Sequence, residues 1–332
     1  MNSTASAEMR SVKKVGVVGA GLIGSGWVSR CSARDIDVLV YDPGSDGEEV
    51  LMAHVENAWF ALEKLGFDRN HSGDVRYCND LGEVAGTCDF IQESAPENLE
   101  LKKQLHEQLD AVAPPDVVIA SSSPGLLPSE IQADVSHPGR ILIGHPFNPV
   151  YILPLVEIVK GENTLERYAN EAAEFYLSIG MYPLMIRKEI EGYVSDRMQE
   201  AVWREALHMV ADGVASTQDI DDAIVYGPGL RWAIMGVCMT FHLAGGDQGM
   251  RHMLEQFGPA LKLPWTHMEA PELTDELIDR MVSGTQTQAG NQSIRDLELL
   301  RDNCLIEILE VLSRYRIAAG NTQFKADAVG PS

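Results

Sequence analysis

The sequence lacks several features that would each indicate a particular class of protein. It has no run of about 18 or more apolar residues, the length that a membrane-spanning helix needs. Its five cysteines are an odd number and include no Cys-x-x-Cys pair. We therefore expect reduced, mostly packed cysteines, with neither a disulfide framework nor a metal site.

Positive charge is also scarce. The 26 lysines and arginines stand against 49 aspartates and glutamates, which gives a net charge of −23. Nucleic-acid binding and docking to anionic membranes both need a basic surface, so we expect neither. The charge does not identify a substrate, since a strongly acidic surface also serves solubility alone.

The length and the chain ends set the outline. At roughly 100–200 residues per domain, 332 residues correspond to about two domains. Residues 1–10 are small and polar and lack the apolar core of a signal peptide, so we expect a short disordered tail and a cytoplasmic protein. We also expect the tail from Gly320 to Ser332 to fray.

The first half of the chain alternates short apolar runs with helical patterns, which predicts a doubly wound parallel sheet. The expected strands are Val15–Gly19, Val38–Tyr41, Phe90–Ile91, Val117–Ala120, Ile141–Ile143, Leu155–Val159 and Met185–Ile186. The expected helices are Glu49–Leu65, Leu99–Val112 and Thr164–Ile179. Farther along, the strand signal fades, and the pattern predicts helices over Gln199–Val210, Thr217–Val225, Arg231–Leu243 and Ile294–Leu312.

A glycine-rich motif follows the first expected strand and opens a helix that runs toward Cys31. It reads Gly19-Ala-Gly21-Leu22-Ile23-Gly24 and fits G-x-G-x-x-G. The first glycine permits a tight turn, the second lets the backbone approach a pyrophosphate, and the third lets helix and strand pack closely. The free N–H groups at the helix start then suit phosphate oxygens. We therefore expect a Rossmann-type dinucleotide-binding domain over 11–188, followed by an all-helical domain over 189–318.

An acidic residue follows the second expected strand. Asp42 comes 18 residues after Gly24, where a carboxylate accepts hydrogen bonds from ribose hydroxyls. The same charge would repel a 2′-phosphate. The pattern therefore predicts NAD rather than NADP as the cofactor.

A histidine and a glutamate carry the expected acid–base chemistry. His145 ends a buried strand, at the edge where open α/β sheets bind ligands. Glu157 lies twelve residues later in an otherwise apolar strand, and a buried carboxylate needs a partner. A carboxylate on one imidazole nitrogen raises the basicity of the other. The pair can therefore take the proton of an alcohol while a hydride leaves for the nicotinamide.

Four motifs in order along the chain resemble the 3-hydroxyacyl-CoA dehydrogenase family. They are the glycine-rich motif, Glu97-Asn-Leu-Glu-Leu-Lys102, His145-Pro-Phe-Asn-Pro149 and Pro154-Leu-Val-Glu157. The resemblance spans about residues 12 to 315. It implies a Rossmann domain with a helical, dimer-forming C-terminal domain, His145 as catalytic base oriented by Glu157, and Glu97 and Lys102 as cofactor contacts.

Two positions depart from the family pattern. Pro124 stands where the family usually has a serine that helps to hold the substrate oxygen, and proline has no hydroxyl. Ser123 or Ser122 is the expected substitute, through a small shift; the other outcome is lowered activity. Asp196 stands where the family usually has asparagine, and it can still accept a hydrogen bond.

Blocks in the second half resemble the carnitine-oxidising members of the family, which implies L-carnitine as the substrate. These blocks are Ala201–Leu207, Gly229–Ala233, Gly245–His252, Gln256–Ala260 and Pro264–Thr266. Aromatic faces bind quaternary ammonium groups, so the candidates for the trimethylammonium end are Phe147, Tyr151, Trp203, Trp232 and Trp265, with Asp196 beside them. Arg231 and Arg204 are candidates for the carboxylate end, although Arg204 is also spaced to pair with Glu200 on a helix.

Three alternatives stay open. An acyl-CoA substrate needs basic residues for its phosphates, and the stretch from Gly44 to Leu65 has only Lys64 among several glutamates, which disfavours it. An L-gulonate-type sugar acid would need polar partners rather than tryptophans. The third alternative is a crystallin-like protein that binds the cofactor but has weak activity. Both it and an enzyme would bind NAD, so only a measurement of turnover distinguishes them.

Overall fold

Eight strands form one sheet in the computed structural model, which describes residues 11–266, 269 and 271–326. The strands, in chain order, are β1 Lys14–Val18, β2 Asp37–Tyr41, β3 Val75–Cys78, β4 Phe90–Glu93, β5 Val118–Ser121, β6 Ile141–Pro146, β7 Leu155–Lys160 and β8 Tyr182–Ile186. Their order across the sheet is β3-β2-β1-β4-β5-β6-β7-β8. The predicted α/β fold class is confirmed.

The sheet is parallel except at one junction, where β6 and β7 run antiparallel. Only eight residues, 147–154, connect these two strands. A parallel crossover needs about a dozen or more residues, so a connection of this length returns the chain antiparallel. The expectation of a parallel sheet is therefore right for every pair but this one.

Helices connect the strands of the first part of the chain. They are α1 Leu22–Ser32, α2 Gly47–Lys64, α3 Leu81–Thr87, α4 Leu99–Val112, α5 Pro128–Ile131 and α6 Glu166–Ser178. Short 3-10 turns cover Arg69–His71 and Pro138–Arg140. Because β1, β2, β4, β5 and β6 are parallel neighbours, their carboxyl ends lie along one edge of the sheet, where α/β folds bind ligands.

The second part of the chain contains helices and no strand among its described residues. Its helices are α7 Ser195–Ala211, α8 Thr217–Val225, α9 Pro228–Trp232, α10 Val237–Ala244, α11 Gly249–Phe257, α12 Asp275–Ala289 and α13 Ile294–Tyr315. The single helix predicted over Arg231–Leu243 is wrong. Its residues divide between α9 and α10, and Gly236, with extended backbone geometry, is the N-cap of the second.

Contacts divide the chain into two units. Of the described residues, the first unit comprises 11–194, 302–309 and 322–326; the second comprises those of Ser195–Arg301 and Glu310–Asn321. The predicted boundary near residue 188 stays a prediction. No described helix is both long and apolar enough to cross a membrane.

The segment after the last helix packs against the first unit, contrary to the expectation of a frayed tail. Phe324 is buried, and the Ala326 N–H donates to the Leu65 carbonyl at 3.1 Å. Arg34 donates from Nη2 to the Gln323 carbonyl at 2.8 Å. The frayed-tail prediction is therefore wrong for residues 322–326. Residues 327–332 lie outside the described part of the chain, as do residues 1–10.

The cysteines are free, and three of the five are buried. Cys31, Cys78 and Cys88 are buried, whereas Cys238 and Cys304 are exposed. Burial raises the pKa of the Cys31 and Cys88 thiols to about 12. Both therefore stay protonated and inert at neutral pH, which matches the expected packing role.

Candidate active site

The glycine-rich loop joins β1 to α1 and has the shape that a pyrophosphate needs. Gly19 has a φ of +104°, and a Cβ there would lie 2.6 Å from the Ser94 carbonyl oxygen. A Cβ on Gly24 would lie 1.8 Å from the Gly19 carbonyl oxygen, so strand and helix need glycine there to pack. Gly21 is the N-cap of α1, and a Cβ on it would meet no protein atom within 4 Å. The backbone therefore leaves an open cradle at the helix start, which fits a dinucleotide.

Asp42 follows β2 and is bound to this loop. Its Oδ2 accepts the Ala20 N–H at 2.7 Å, and its Oδ1 accepts the Gly44 N–H at 2.7 Å. Each carboxylate oxygen can accept more than one hydrogen bond, so these contacts leave room for ribose hydroxyls. The residues present thus fit NAD at this end of the sheet.

His145 and Glu157 form the expected pair. They face each other in the antiparallel register of β6 and β7, and His145 Nδ1 lies 3.1 Å from Glu157 Oε2. Glu157 is fully buried, and its Oε1 accepts the Val194 N–H at 3.1 Å. Because an ionised carboxylate only accepts, the histidine Nδ1 carries the hydrogen and Nε2 carries the lone pair. The imidazole is therefore held in the tautomer of a general base.

Two aromatic rings contact the imidazole. The ring centroid of Phe147 lies 5.0 Å from that of His145, at 61° between planes. The ring of Tyr193 lies at 5.7 Å and 60°. Phe147 was a candidate from the sequence, but Tyr193 was missed. The signal that could have found Tyr193 is its position three residues before Asp196, in Gly192-Tyr193-Val194.

A charged cluster lies at the ends of β4 and β5. Lys102, on α4, is buried and donates from Nζ to Glu93 Oε1 at 2.7 Å and to the Ala95 carbonyl at 3.0 Å. Its Nζ also lies 3.7 Å from Glu97 Oε2. Glu93 is fully buried and accepts a hydrogen bond from Ser121 Oγ at 2.5 Å. Lys102 and Glu97 thus lie close together, and their contact with the cofactor stays a prediction. Glu93, which links Lys102 to Ser121 at the end of β5, was missed.

Both serines beside Pro124 have protein partners for their hydroxyl groups. Ser123 Oγ donates to Glu97 Oε1 at 2.5 Å and accepts the Leu126 N–H at 3.0 Å. Ser122 Oγ accepts from Trp27 Nε1 at 3.1 Å and from Gln92 Nε2 at 2.8 Å. Ser122 is thus held in the core, which leaves Ser123, through its pairing with Glu97, as the serine at the cofactor edge.

A buried polar network connects the cofactor helix to the catalytic strand. Gln92 Nε2 donates to Ser122 Oγ and also to the Gly144 carbonyl, at 3.2 Å. Gly144 is the residue directly before His145. Tyr176, on α6, donates its hydroxyl to Gln92 Oε1 at 2.7 Å. Every hydrogen-bonding atom of the Gln92 amide therefore has a partner, as a buried amide requires.

A buried arginine on α1 holds the loop that follows the histidine. Arg30 donates from Nε to the Val150 carbonyl at 2.6 Å and from Nη2 to the Leu153 carbonyl at 3.0 Å. Burial is the main cause that lowers its pKa well below the usual value. These bonds connect the helix that opens at the glycine-rich loop to the loop between β6 and β7.

The remaining predicted substrate residues have varied surroundings. Tyr151 donates its hydroxyl to Asp302 Oδ2 at 2.7 Å, so the polar end of its side chain is occupied. In the second unit, Trp203, Trp232 and Trp265 are exposed, as is Arg231. Asp196 lies in the first turn of α7. Arg204 lies 3.8 Å from Glu200 on the same helix, the pairing that its spacing predicted. Among the described residues, no group of three or more His, Cys, Asp or Glu could hold a metal ion.

Comparison with protein families gives two consecutive matches. Residues 14–190 match the family model described as "3-hydroxyacyl-CoA dehydrogenase, NAD binding domain". Residues 192–292 match the model described as "3-hydroxyacyl-CoA dehydrogenase, C-terminal domain".

Curated relatives match over nearly the whole chain. A protein of Pseudomonas aeruginosa named L-carnitine dehydrogenase is 52% identical over 93% of this chain and 97% of its own length. Proteins of the same name from Oceanobacillus iheyensis and Nocardiopsis dassonvillei are 49% and 47% identical, over 92% and 99% of this chain and 99% and 100% of their own lengths.

Solved structures share the fold. An NAD+-dependent 5-formyl-3-hydroxy-2-methylpyridine 4-carboxylic acid 5-dehydrogenase matches with a TM-score of 0.76 at 23% identity, over 91% of this chain and 99% of that one. FadB2 of M. tuberculosis matches with a TM-score of 0.65 at 26% identity, over 83% of this chain and 95% of that one.

Proposed function

Because the chain belongs to the 3-hydroxyacyl-CoA dehydrogenase family, we propose that it oxidises the 3-hydroxyl group of L-carnitine to the ketone of 3-dehydrocarnitine, with NAD as cofactor. The observation that carries the chemistry is the bond between His145 Nδ1 and Glu157 Oε2, 3.1 Å long, at the ligand-binding edge of the sheet. The substrate follows from the relatives named L-carnitine dehydrogenase, which match at about half identity over nearly the full chain.

The proton leaves the substrate through His145. Its Nε2 takes the hydroxyl proton while the C3–H bond breaks and the carbon–oxygen double bond forms. NAD, when bound, supplies the acceptor for the hydride. The imidazole then carries a positive charge, which the buried Glu157 carboxylate stabilises. In this mechanism the imidazole is neutral before the reaction, and afterwards it is a cation paired with the Glu157 carboxylate.

The cofactor residues are those of the glycine-rich loop and the ends of neighbouring strands. Gly19, Gly21 and Gly24, with the Leu22 and Ile23 backbone at the start of α1, would hold the pyrophosphate, and Asp42 the adenosine ribose. The Asp42 charge disfavours the 2′-phosphate of NADP. Glu97 and Lys102 complete this set, with Lys102 held by the buried Glu93.

One expected substrate residue lies beside the imidazole. Phe147 is half-buried beside His145, so its ring is available to a trimethylammonium group. We keep Tyr151, Trp203 and Trp232 as further aromatic candidates, Arg231 for the carboxylate, and Ser123 and Asp196 as polar contacts to the reacting end.

We also propose a cytoplasmic homodimer formed through the helical domain, with 11–188 and 189–318 as the two domains. What supports the dimer is that the second unit leaves many large apolar side chains exposed, as an interface with a second copy would require. Examples are Tyr226, Leu230, Phe241, Leu254, Leu261 and Trp265. A second copy of the chain would remove them from water.

The experiment that tests the proposal measures initial rates of NAD reduction with L-carnitine, L-gulonate and 3-hydroxybutyryl-CoA side by side. A rate with L-carnitine alone supports it, and H145A should then lower kcat by about a thousandfold while leaving the Kd for NAD unchanged. A rate only with another substrate overturns the assignment of carnitine. Measurable NAD binding without turnover of any of them would indicate a cofactor-binding protein without this chemistry.

A further inference from the structure

We propose that Tyr193 is a positioning residue that keeps the His145 imidazole aimed at the substrate hydroxyl. The proposal rests on the proposed function, since it concerns the base of that same reaction. Tyr193 is fully buried in the first unit, two residues before α7 begins. It belongs to none of the groups expected to bind cofactor or substrate.

The direction of the imidazole depends on packing as well as on its bond to Glu157. The bond between Nδ1 and Oε2 restrains rotation of the ring about Cβ–Cγ. The Tyr193 ring meets the imidazole at 60°, with centroids 5.7 Å apart, in the edge-to-face arrangement that aromatic rings prefer. This contact, with that of Phe147, adds a steric restraint on the same rotation and so on the direction of Nε2.

The Tyr193 ring is itself anchored at its far end. Its hydroxyl donates to the Leu126 carbonyl at 2.7 Å, in the loop that follows Ser123. The Gly192 N–H donates to the Gly125 carbonyl of the same loop at 3.4 Å. The segment 192–194 therefore connects the serine loop of β5 to the histidine of β6.

The backbone at this turn is held in a conformation that an aromatic residue rarely adopts. Gly192 has a φ of +69° and Tyr193 a φ of +46°, and the Tyr193 N–H closes the turn on the Ile190 carbonyl at 3.1 Å. The next N–H, of Val194, donates to Glu157 Oε1 at 3.1 Å. One turn thus brings a ring to the base and a hydrogen bond to its orienting carboxylate, and unfavourable backbone geometry of this kind persists where neighbours enforce it.

The test compares Tyr193 with Tyr168, a buried tyrosine of matched chemistry. Tyr168, on α6, donates its hydroxyl to the Pro115 carbonyl at 2.8 Å, at the opposite end of β5 from the serine loop. Methionine fills a tyrosine site flexibly without a ring. We expect Y193M to lower kcat about tenfold or more, because small misplacement of a catalytic group is costly, with KM and the Kd for NAD little changed. Y193F should lower kcat by only about threefold, since the ring stays but loses its anchor.

A second measurement needs no substrate. Diethyl pyrocarbonate modifies neutral imidazoles, and mass spectrometry of the peptide that contains His145 reports its rate. We expect His145 to react faster in Y193M and Y193F than in the wild type, and at the wild-type rate in Y168M and Y168F. If the wild type fails to oxidise L-carnitine, this arm still tests the positioning role, so the two proposals fail separately.

Three results would overturn the role of Tyr193. One is a folded Y193M enzyme with kcat within about twofold of the wild type. Another is an equal loss of kcat in Y193M and Y168M, which would indicate core packing alone. If Y193M does not fold, Y193F decides, and an unchanged kcat with an unchanged His145 reaction rate contradicts the proposal.

Discussion

At the scale of single residues, the Asp42 carboxylate distinguishes two cofactors that differ by one phosphate. In D42N the side chain keeps its shape but loses its charge, so we expect the Kd for NAD to rise about tenfold, as for loss of a hydrogen bond to a charged group. The Kd for NADP should stay level or fall, because repulsion of the 2′-phosphate is removed. Titration of both nucleotides by fluorescence measures this, with D46N, on the exposed loop before α2, as the control. Equal losses for both nucleotides would exclude the ribose role.

The residues that could be predicted are those whose chemistry shows in local order. His145 and Glu157 stand out because a histidine at a strand end and a carboxylate inside an apolar strand both require an explanation. Tyr193 and Gln92 gave no such signal. Their roles depend on partners in other strands, such as the Gly144 carbonyl for Gln92 and the imidazole for Tyr193, and contacts across strands have no local signature.

At the scale of elements, the turn from β1 into α1 contains glycines that are needed for two different reasons, one for packing and one for binding the cofactor. In G24A the new methyl group would lie 1.8 Å from the Gly19 carbonyl, so we expect a loss of folding stability. In G21A it would meet no protein atom within 4 Å, so stability should hold while the Kd for NAD rises, because the methyl group occupies the pyrophosphate cradle. Thermal unfolding and NAD titration of both variants test this. Unchanged NAD affinity in G21A would contradict the cradle.

A buried ion pair between α4 and the turn before β6 makes the stability of the fold depend on pH in a way that can be tested. Arg140 donates to Asp110 Oδ1 from Nε at 2.9 Å and from Nη2 at 2.6 Å. Burial raises the pKa of Asp110, but these bonds and the His137 N–H outweigh it and hold the pKa below its usual value. A depressed carboxyl pKa stabilises the fold above the unfolded value of about 3.9, and this contribution is lost as pH falls through the folded value.

We therefore expect D110N to lower the free energy of unfolding by about 3 kcal/mol near neutral pH, because it breaks a buried pair. The difference from the wild type should shrink at an acid pH below about 3.9, the carboxyl pKa of the unfolded chain, as the buried pair loses its charge. Urea unfolding at both pH values measures it. D134N, which breaks the partly exposed pair with Lys103, should cost less than about 1 kcal/mol. A D110N deficit that does not change with pH would argue against this linkage.

Elements were predictable where burial imposes a pattern. The central strands are continuous apolar runs, and α4 and α8 begin and end where their patterns do. Strand β3 was missed because Val75-Arg-Tyr-Cys78 lies at the edge of the sheet, where polar side chains are tolerated. The break between α9 and α10 was missed because apolar residues continue on both sides of Gly236. The helical spacing of apolar residues therefore does not reveal that the helix ends there.

At the scale of the whole molecule, the first unit is built from segments that lie far apart in the sequence. After α13, residues 322–326 return to the first unit. Gly180, with a φ of +71°, permits this approach, since a Cβ there would lie 2.3 Å from the Gln323 carbonyl. The sequence predicted a frayed tail because this segment is mostly small and polar. Phe324 is its single buried aromatic residue, and one apolar position gives no periodic pattern. We therefore expect the stability of the cofactor-binding unit to depend on these residues.

Replacing Phe324 tests that dependence. Its side chain is buried, and F324A should lower the free energy of unfolding by about 3 kcal/mol, the loss typical of a core phenylalanine. Hydrogen exchange should also rise in the peptides around Leu65 and Arg34, whose backbone and side chain bind this segment. The control is Q323A, because the bond to Arg34 uses the backbone carbonyl of Gln323, so its side chain can be lost at little cost. Urea unfolding and exchange mass spectrometry decide between the two outcomes. If F324A is as stable as Q323A, with unchanged exchange around Leu65, the segment contributes nothing to the first unit.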